Sequence, residues 1–291
     1  VTVRPRKVQL SGYLFLLPYL TLFAVFLLLP LIFGLWLSVT KYELLSAKPA
    51  RFIGLDNFRE ALADPYFWKS LGATSLFVGL ATPLTVTGAL IIAALIHALP
   101  EKRQSVYRLA IFIPTILTVT VVGILWRWFY SGNFGMFNGY LERWGFARVP
   151  WIESTTLAMP SIVLMTFWWT VGSPMVILLA GLKQIPSVYH EAAAIDGATG
   201  FRRFISITLP LLRPVLLFVI VVNVIGAFQV FGQTFIVTKG GPERSTRVLV
   251  QYIYETAFQS YRLGYGAAMS WLLFVVIAVF SIVQFRFMRE R

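Results

Sequence analysis

The chain has 291 residues, 58% of them hydrophobic and 13% charged, with a formal net charge of +13. A soluble domain carries roughly 45–50% apolar residues. Here the excess lies in long blocks parted by short charged segments, which excludes an ordinary globular protein and points to membrane spans. The bases flank those blocks, where anionic lipid headgroups meet them, so nucleic acid is not an expected partner.

The apolar runs predict crossing helices at 13–38, 72–98, 109–130, 158–182, 211–236 and 267–285. The expected fold is therefore all-α: a polytopic membrane protein with six transmembrane helices in one transmembrane domain covering 1–291. Each run is long enough, at 1.5 Å per residue, for a hydrocarbon core of about 30 Å. None shows the two-residue alternation of a barrel strand. The first run follows Arg4, Arg6 and Lys7. It is too long for a signal-peptide core and lacks a small-residue cleavage site, so it reads as a retained helix. Pro18, Pro30, Pro83, Pro114 and Pro174 fall inside spans and predict kinks. Trp36, Trp126, Trp128 and Tyr130 fall near span ends. There, amphipathic rings are expected to sit at the outer interface.

Six crossings put both termini on one side. Bases are denser in the short segments on that side, which sets the termini in the cytoplasm; the resemblance given below implies the bacterial inner membrane. No Asp or Glu lies within a span, against an ion-coupled carrier, whose spans commonly bury a carboxylate. No G-x-x-x-x-G-K-[ST] phosphate loop occurs, so this chain is not expected to hydrolyse ATP. Cysteine is absent and His97 and His190 are far apart, which leaves no material for a metal cluster and predicts no cofactor in this chain. No catalytic constellation appears either.

The loop between the fourth and fifth runs is the most informative stretch. Ser187 after Pro186 can cap a short helix, Glu191 sits in its first turns, and Ala192 and Ala193 leave room for another surface. Gly197 supplies a position able to take φ > 0 and end that helix. A second short helix is expected from Phe201 to Leu209, with Pro210 and Pro214 marking the start of the fifth span. Glu191, Ala192, Ala193, Gly197, Ile207, Leu209 and Pro210 match, at every spacing, the signature of ABC importer permeases, and Asp196 matches a common extension of it. The loop thus resembles the ATPase-coupling segment of those permeases, and the chain is similar to their carbohydrate-uptake branch. Y-L-F-L-L-P-Y-L-T-L-F at 13–23, F-I-G-L-D-N-F at 52–58, G-G-P at 240–242 and L-G-Y-G-A-A at 263–268 extend the likeness over nearly the whole sequence.

The resemblance implies a type I ABC importer permease fold, most like the larger permease subunit of maltose-type systems. The chain lacks that subunit's extra N-terminal spans and large external insert, so a binding protein would need other docking surfaces. The resemblance also implies partners: a second, different permease subunit, two ATPase subunits holding ATP and Mg, and an extracytoplasmic solute-binding protein. Residues 187–209 would transmit ATPase closure. Carbohydrate would pass polar and aromatic side chains of the middle spans, for which Thr166, Trp169, Ser173, Asn223, Gln229 and Gln233 are the candidates. A flat indole can stack on a sugar face while hydroxyls and amides bond its edge. An ion-coupled carrier and a passive channel are the alternatives. Neither explains the loop signature.

Overall fold

A computed structural model describes residues 10–46, 49–195 and 197–289. The chain divides into two compact units: residues 1–64 with 253–272, and residues 65–252 with 273–291.

In the first unit, α1 (Leu10–Phe23) and α2 (Leu29–Ser38) join through a π-helical turn at Ala24–Leu28. Pro30 lacks an N–H and its ring crowds the carbonyl four residues back, so the wider turn before it relieves the conflict without breaking the helix. The run Leu14–Ser38 is strongly apolar, and its most apolar 18-residue stretch has no buried residue. A helix that is apolar all round is suited to lipid. Two short strands, β1 (Thr40–Lys41) and β2 (Arg51–Phe52), pair antiparallel with Thr40 opposite Phe52, and α3 (Asp56–Ala63) follows.

The segments 52–58 and 263–268 both close on the turn after α2. Buried Asn57 donates to the carbonyls of Ser38 and Thr40, each at 2.9 Å. The Ile53 N–H reaches the Val39 carbonyl at 3.0 Å, and the Gly264 N–H reaches Tyr42 at 3.2 Å. These bonds satisfy carbonyls that a helix end leaves open. Arg262 pairs with Glu60 at 2.7 Å, and the Tyr265 hydroxyl donates to Asp64 at 2.9 Å.

The second unit begins with α4 (Pro65–His97) and continues through α5 (Glu101–Phe112), a 3-10 turn at Ile113–Ile116, and α6 (Val119–Phe129). After α7 (Met136–Arg143) come α8 (Ala158–Thr170), α9 (Gly172–Lys183) and α10 (Ser187–Ile195). Next, α11 (Gly200–Arg203) runs through a π turn at Phe204–Thr208 into α12 (Leu209–Phe228). The chain then forms α13 (Gly232–Val237), α14 (Leu249–Tyr254) and α15 (Leu263–Arg289), the last of which passes through both units. On α4, Ala73, Phe77, Ala81, Thr85, Ala89 and Ala93 are all buried. Every fourth residue lies on one face, and the alanines let neighbouring helices approach closely. Met175, Leu178 and Leu182 of α9 and Leu212 and Val219 of α12 fill that side of the core.

Among the described residues, four helices are long and apolar enough to cross a membrane, and two bent pairs carry the same capacity. The predicted span 109–130 is one of those pairs: α5 and α6 meet at 95°. Leu117 is extended (ψ 145°), and the Thr118 side chain accepts the Val121 N–H as a new N-cap. Pro114 was expected to kink this run. It instead ends the α-helix, because it begins a tight turn that does not return to α-helical geometry. In the fourth run the bend is 51°, between α8 and α9. The predicted fifth span, 211–236, also differs. It stops at Phe228, and the separate second helix expected before Pro210 is instead the first turns of one continuous helix, Gly200–Phe228. Pro210 sits within the first turn of α12, where a missing N–H is tolerated behind the wider π turn.

Two expected interfacial aromatics are in fact core residues. Trp126 and Tyr130 are buried, packed against Phe129, Phe137 and Trp151, and the Tyr130 hydroxyl donates to the Ser161 carbonyl at 2.8 Å. Trp36 and Trp128 of that group are exposed. A ring with a polar tip is as well served by a buried partner as by an interface.

Candidate coupling loop and substrate cavity

The loop after α9 is a short, capped helix. The Ala198 N–H returns to the Ala193 carbonyl at 2.8 Å, and Gly197 has φ +75°. This six-to-one closure through a left-handed residue is a Schellman cap, for which glycine is the usual solution. Glu191 and Ala192 are exposed, Ala193 is buried, Ile207 and Leu209 are half-buried, and Pro210 is exposed. Asp196 lies outside the described residues. Sequence reasoning missed the apolar character of the knob. Val188, Tyr189, Ile195 (87% exposed) and Phe201 (78%) all project outward. A run of exposed large apolar side chains on a charged loop marks an interaction surface, and the signal was present as V-Y and I flanking the signature.

The second feature is a cavity of about 410 Å³ between α4, the α5–α6 break, α8, α9 and α12. Its size falls within the ordinary range for ligand sites. Thr166, Trp169, Ser173, Asn223 and Gln233 line it together with Thr82, Thr85, Thr115 and Thr170. Gln229 does not. It caps the end of α12 and is exposed, because the helix stops before reaching it. The missed threonines gave little warning, since a hydroxyl in a membrane helix usually bonds its own backbone. Several here do so. Thr166 donates to Ile162 (2.8 Å), Thr170 to Thr166 (2.8 Å) and Thr115 to Phe112 (2.5 Å), and the Asn223 amide donates to Val219 (2.8 Å). The hydroxyl protons are committed, which leaves their oxygen lone pairs, and the second amide N–H of Asn223, for a ligand to bond. Thr82 is different: its buried hydroxyl has no partner among the described residues. No charged side chain lines the cavity among the described residues.

The cavity wall contains a joint. The Trp169 Nε1–H donates to the Leu117 carbonyl at 3.1 Å, a group freed by the break in the third span. Gly172, at the bend of the fourth, lies against that same break. A Cβ there would stand 2.7 Å from the Ile111 carbonyl oxygen and 2.8 Å from the Phe112 Cα. The two bends therefore hold each other, one through an indole N–H and the other through the absence of a side chain.

Bent spans, a carboxylate-free interior and a capped exposed loop define a membrane permease of the ABC importer type. The chain belongs to the family described as binding-protein-dependent transport system inner membrane component, whose profile matches residues 67–290. It is 37% identical over 286 residues to a probable ABC transporter permease protein, YesP, of Bacillus subtilis, covering 97% of this chain and 91% of that one. Identity is 36% over 288 residues to the trehalose/maltose transport system permease protein MalF of Thermococcus litoralis, covering 96% and 94%. It is 34% to the sulfoquinovosyl glycerol transport system permease protein SmoG of Agrobacterium fabrum, covering 97% and 92%. The fold is shared with a chain of a bacterial ABC transporter involved in import of the acidic polysaccharide alginate. That match has a TM-score of 0.82 at 23% identity, and covers 96% of this chain and 95% of the other. The protein is thus a multi-pass permease subunit of an ABC importer with the type I permease fold.

Proposed function

We propose that this subunit imports an uncharged oligosaccharide or glycoside, with ATP and Mg bound by separate ATPase chains and a solute-binding protein delivering the substrate. The observation that carries the substrate class is the cavity lining: hydroxyls, two amides and one indole, with no fixed charge among the described residues. A sugar's hydroxyl edge matches such acceptors and amides, and its apolar face matches the indole. An acidic sugar or phosphate ester would ask for a cation that this wall lacks.

In this reading, residues 187–209 are the coupling element, with Glu191, Ala192, Ala193, Asp196, Gly197, Ile207, Leu209 and Pro210 forming or anchoring the knob. The continuous helix Gly200–Phe228 supports that role. It would carry a push at the knob directly to Asn223 at the cavity without an intervening hinge. Both termini lie in the cytoplasm, and a second, different permease chain completes the pore.

The test is reconstitution. The permease pair and ATPase chains in proteoliposomes should take up a neutral oligosaccharide only with internal ATP and external binding protein. The corresponding uronic acid should be transported far less. Uptake driven by an ion gradient without ATP, or preference for the acidic sugar, would overturn this reading.

A further inference from the structure

With Trp126 and Tyr130 buried, the end of α6 keeps Trp128 as its outward belt-type ring. The following loop adds more. Here α7 is held by its inward face. Phe137 packs on Trp126, Tyr130 and Trp151. The Asn138 amide donates to Val149 O (3.0 Å) and Gly132 O (3.4 Å), and its oxygen accepts from the Val149 N–H (3.0 Å) and the Trp151 indole (3.2 Å). All four bonds come from one buried side chain, so the outward face is fixed. The Phe146 N–H closes the helix end on Leu141 O at 2.8 Å.

That outward face is aromatic. Phe134 is 81% exposed and Trp144 72%, and Tyr140 and Phe146 are exposed beside them. The rings of Tyr140 and Trp144 lie 6.3 Å apart. The charges around them balance: the Glu142 carboxylate is paired with Arg148, Glu153 is exposed, and exposed Arg143 stands outside that pair, where it can meet a lipid phosphate. Location points the same way. Phe134 follows Tyr130 by four residues, so the chain carries it at most about 14 Å from the helix end. A headgroup layer is roughly 5–8 Å thick on each side of the hydrocarbon core.

We propose that the 134–146 loop is a membrane anchor that seats Phe134, Tyr140, Trp144 and Phe146 in the headgroup layer of the leaflet where α6 emerges, with Arg143 against lipid phosphate. The anchor fixes the outer end of a span that is already broken at Leu117, so that motion at the break is not lost as tilting of α6.

The cysteine-free sequence makes the test direct. Trp144→Cys and Phe146→Cys, each labelled with an environment-sensitive fluorophore, are placed in the intact importer in vesicles of phosphatidylethanolamine and phosphatidylglycerol. Arg59→Cys, on exposed α3, is the aqueous reference. Headgroup-labelled nitroxide lipid should quench both loop labels strongly and the reference weakly, and a water-soluble quencher should show the reverse order. Three outcomes overturn the proposal: quenching by nitroxide lipid equal to the reference, dominant quenching from water, and shielding from both quenchers, which would make the face a protein interface. A shielding result at one position and lipid quenching at the other would also count against a single anchored face.

Discussion

Gly197 offers a perturbation whose size follows from geometry. Its φ is +75°, and a Cβ built there meets no heavy atom within 4 Å, so Gly197→Ala has a conformational cost and no steric one. Holding an L-residue in the left-handed region costs roughly 1–2 kcal/mol. A penalty of that size lowers the ratio of capped to uncapped loop about 5–30-fold. If the ATPase chains bind only the capped knob, their apparent Kd rises by up to that factor, as the capped fraction falls. Asparagine tolerates this region better, so Gly197→Asn should recover most of the loss. Gly139→Ala, inside α7 and equally open, serves as the control and should leave affinity unchanged. The assay is titration of labelled ATPase onto the solubilised permease pair, with ATP hydrolysis followed in parallel. Equal affinity in Gly197→Ala and Gly139→Ala would refute the reasoning, because it would show that the cap conformation does not govern docking.

Three further outcomes are expected. Thr82→Val removes a buried hydroxyl that has no partner among the described residues. Thermal stability should hold or rise, while the KM for uptake should increase by the roughly 0.5–1.5 kcal/mol of one lost ligand hydrogen bond. Gly172→Val places side-chain atoms against the Ile111 carbonyl and Phe112 Cα. Overpacking of this kind costs about 1–3 kcal/mol, read as a lowered midpoint of thermal unfolding in detergent. Outside the spans, the hydrogen bond from Arg148 holds the Glu142 carboxyl below its ordinary value of 4.5. A depressed carboxylate contributes stability above the unfolded value and loses it as pH falls through the folded one. Hydrogen exchange in the 142–148 loop should therefore quicken on acidification below pH 4.5, and Arg148→Gln should abolish that step.

What the sequence made legible tracks how local each cause is. The candidate coupling helix could be read because its serine, its small residues and its glycine lie within about three turns of one another. The breaks at Leu117 and Phe228 could not. A proline announces a disturbed helix, but whether it kinks or ends the run depends on who satisfies the freed carbonyl. Here that is the indole of Trp169, from 52 positions away. The same distance effect hid the cavity. Thr82 and Thr85 resemble any packed membrane hydroxyls until α12 is laid beside α4, whereas Trp169 and Asn223 stood out as costly groups for a lipid setting. Gln229 was misplaced because the apolar run does not reveal where its helix stops. Trp126 and Tyr130 were misplaced because span-end aromatics look alike whether they meet lipid or a neighbouring loop.

The knob itself can be interrogated at one atom. With a photo-crosslinker at Ile195, 87% exposed at the end of α10, the assembled importer should yield an adduct with an ATPase chain. Its yield should change when ATP binding closes the ATPase pair. Adducts only with lipid, or with no protein at all in a complex that still transports, would contradict a coupling role for residues 187–209.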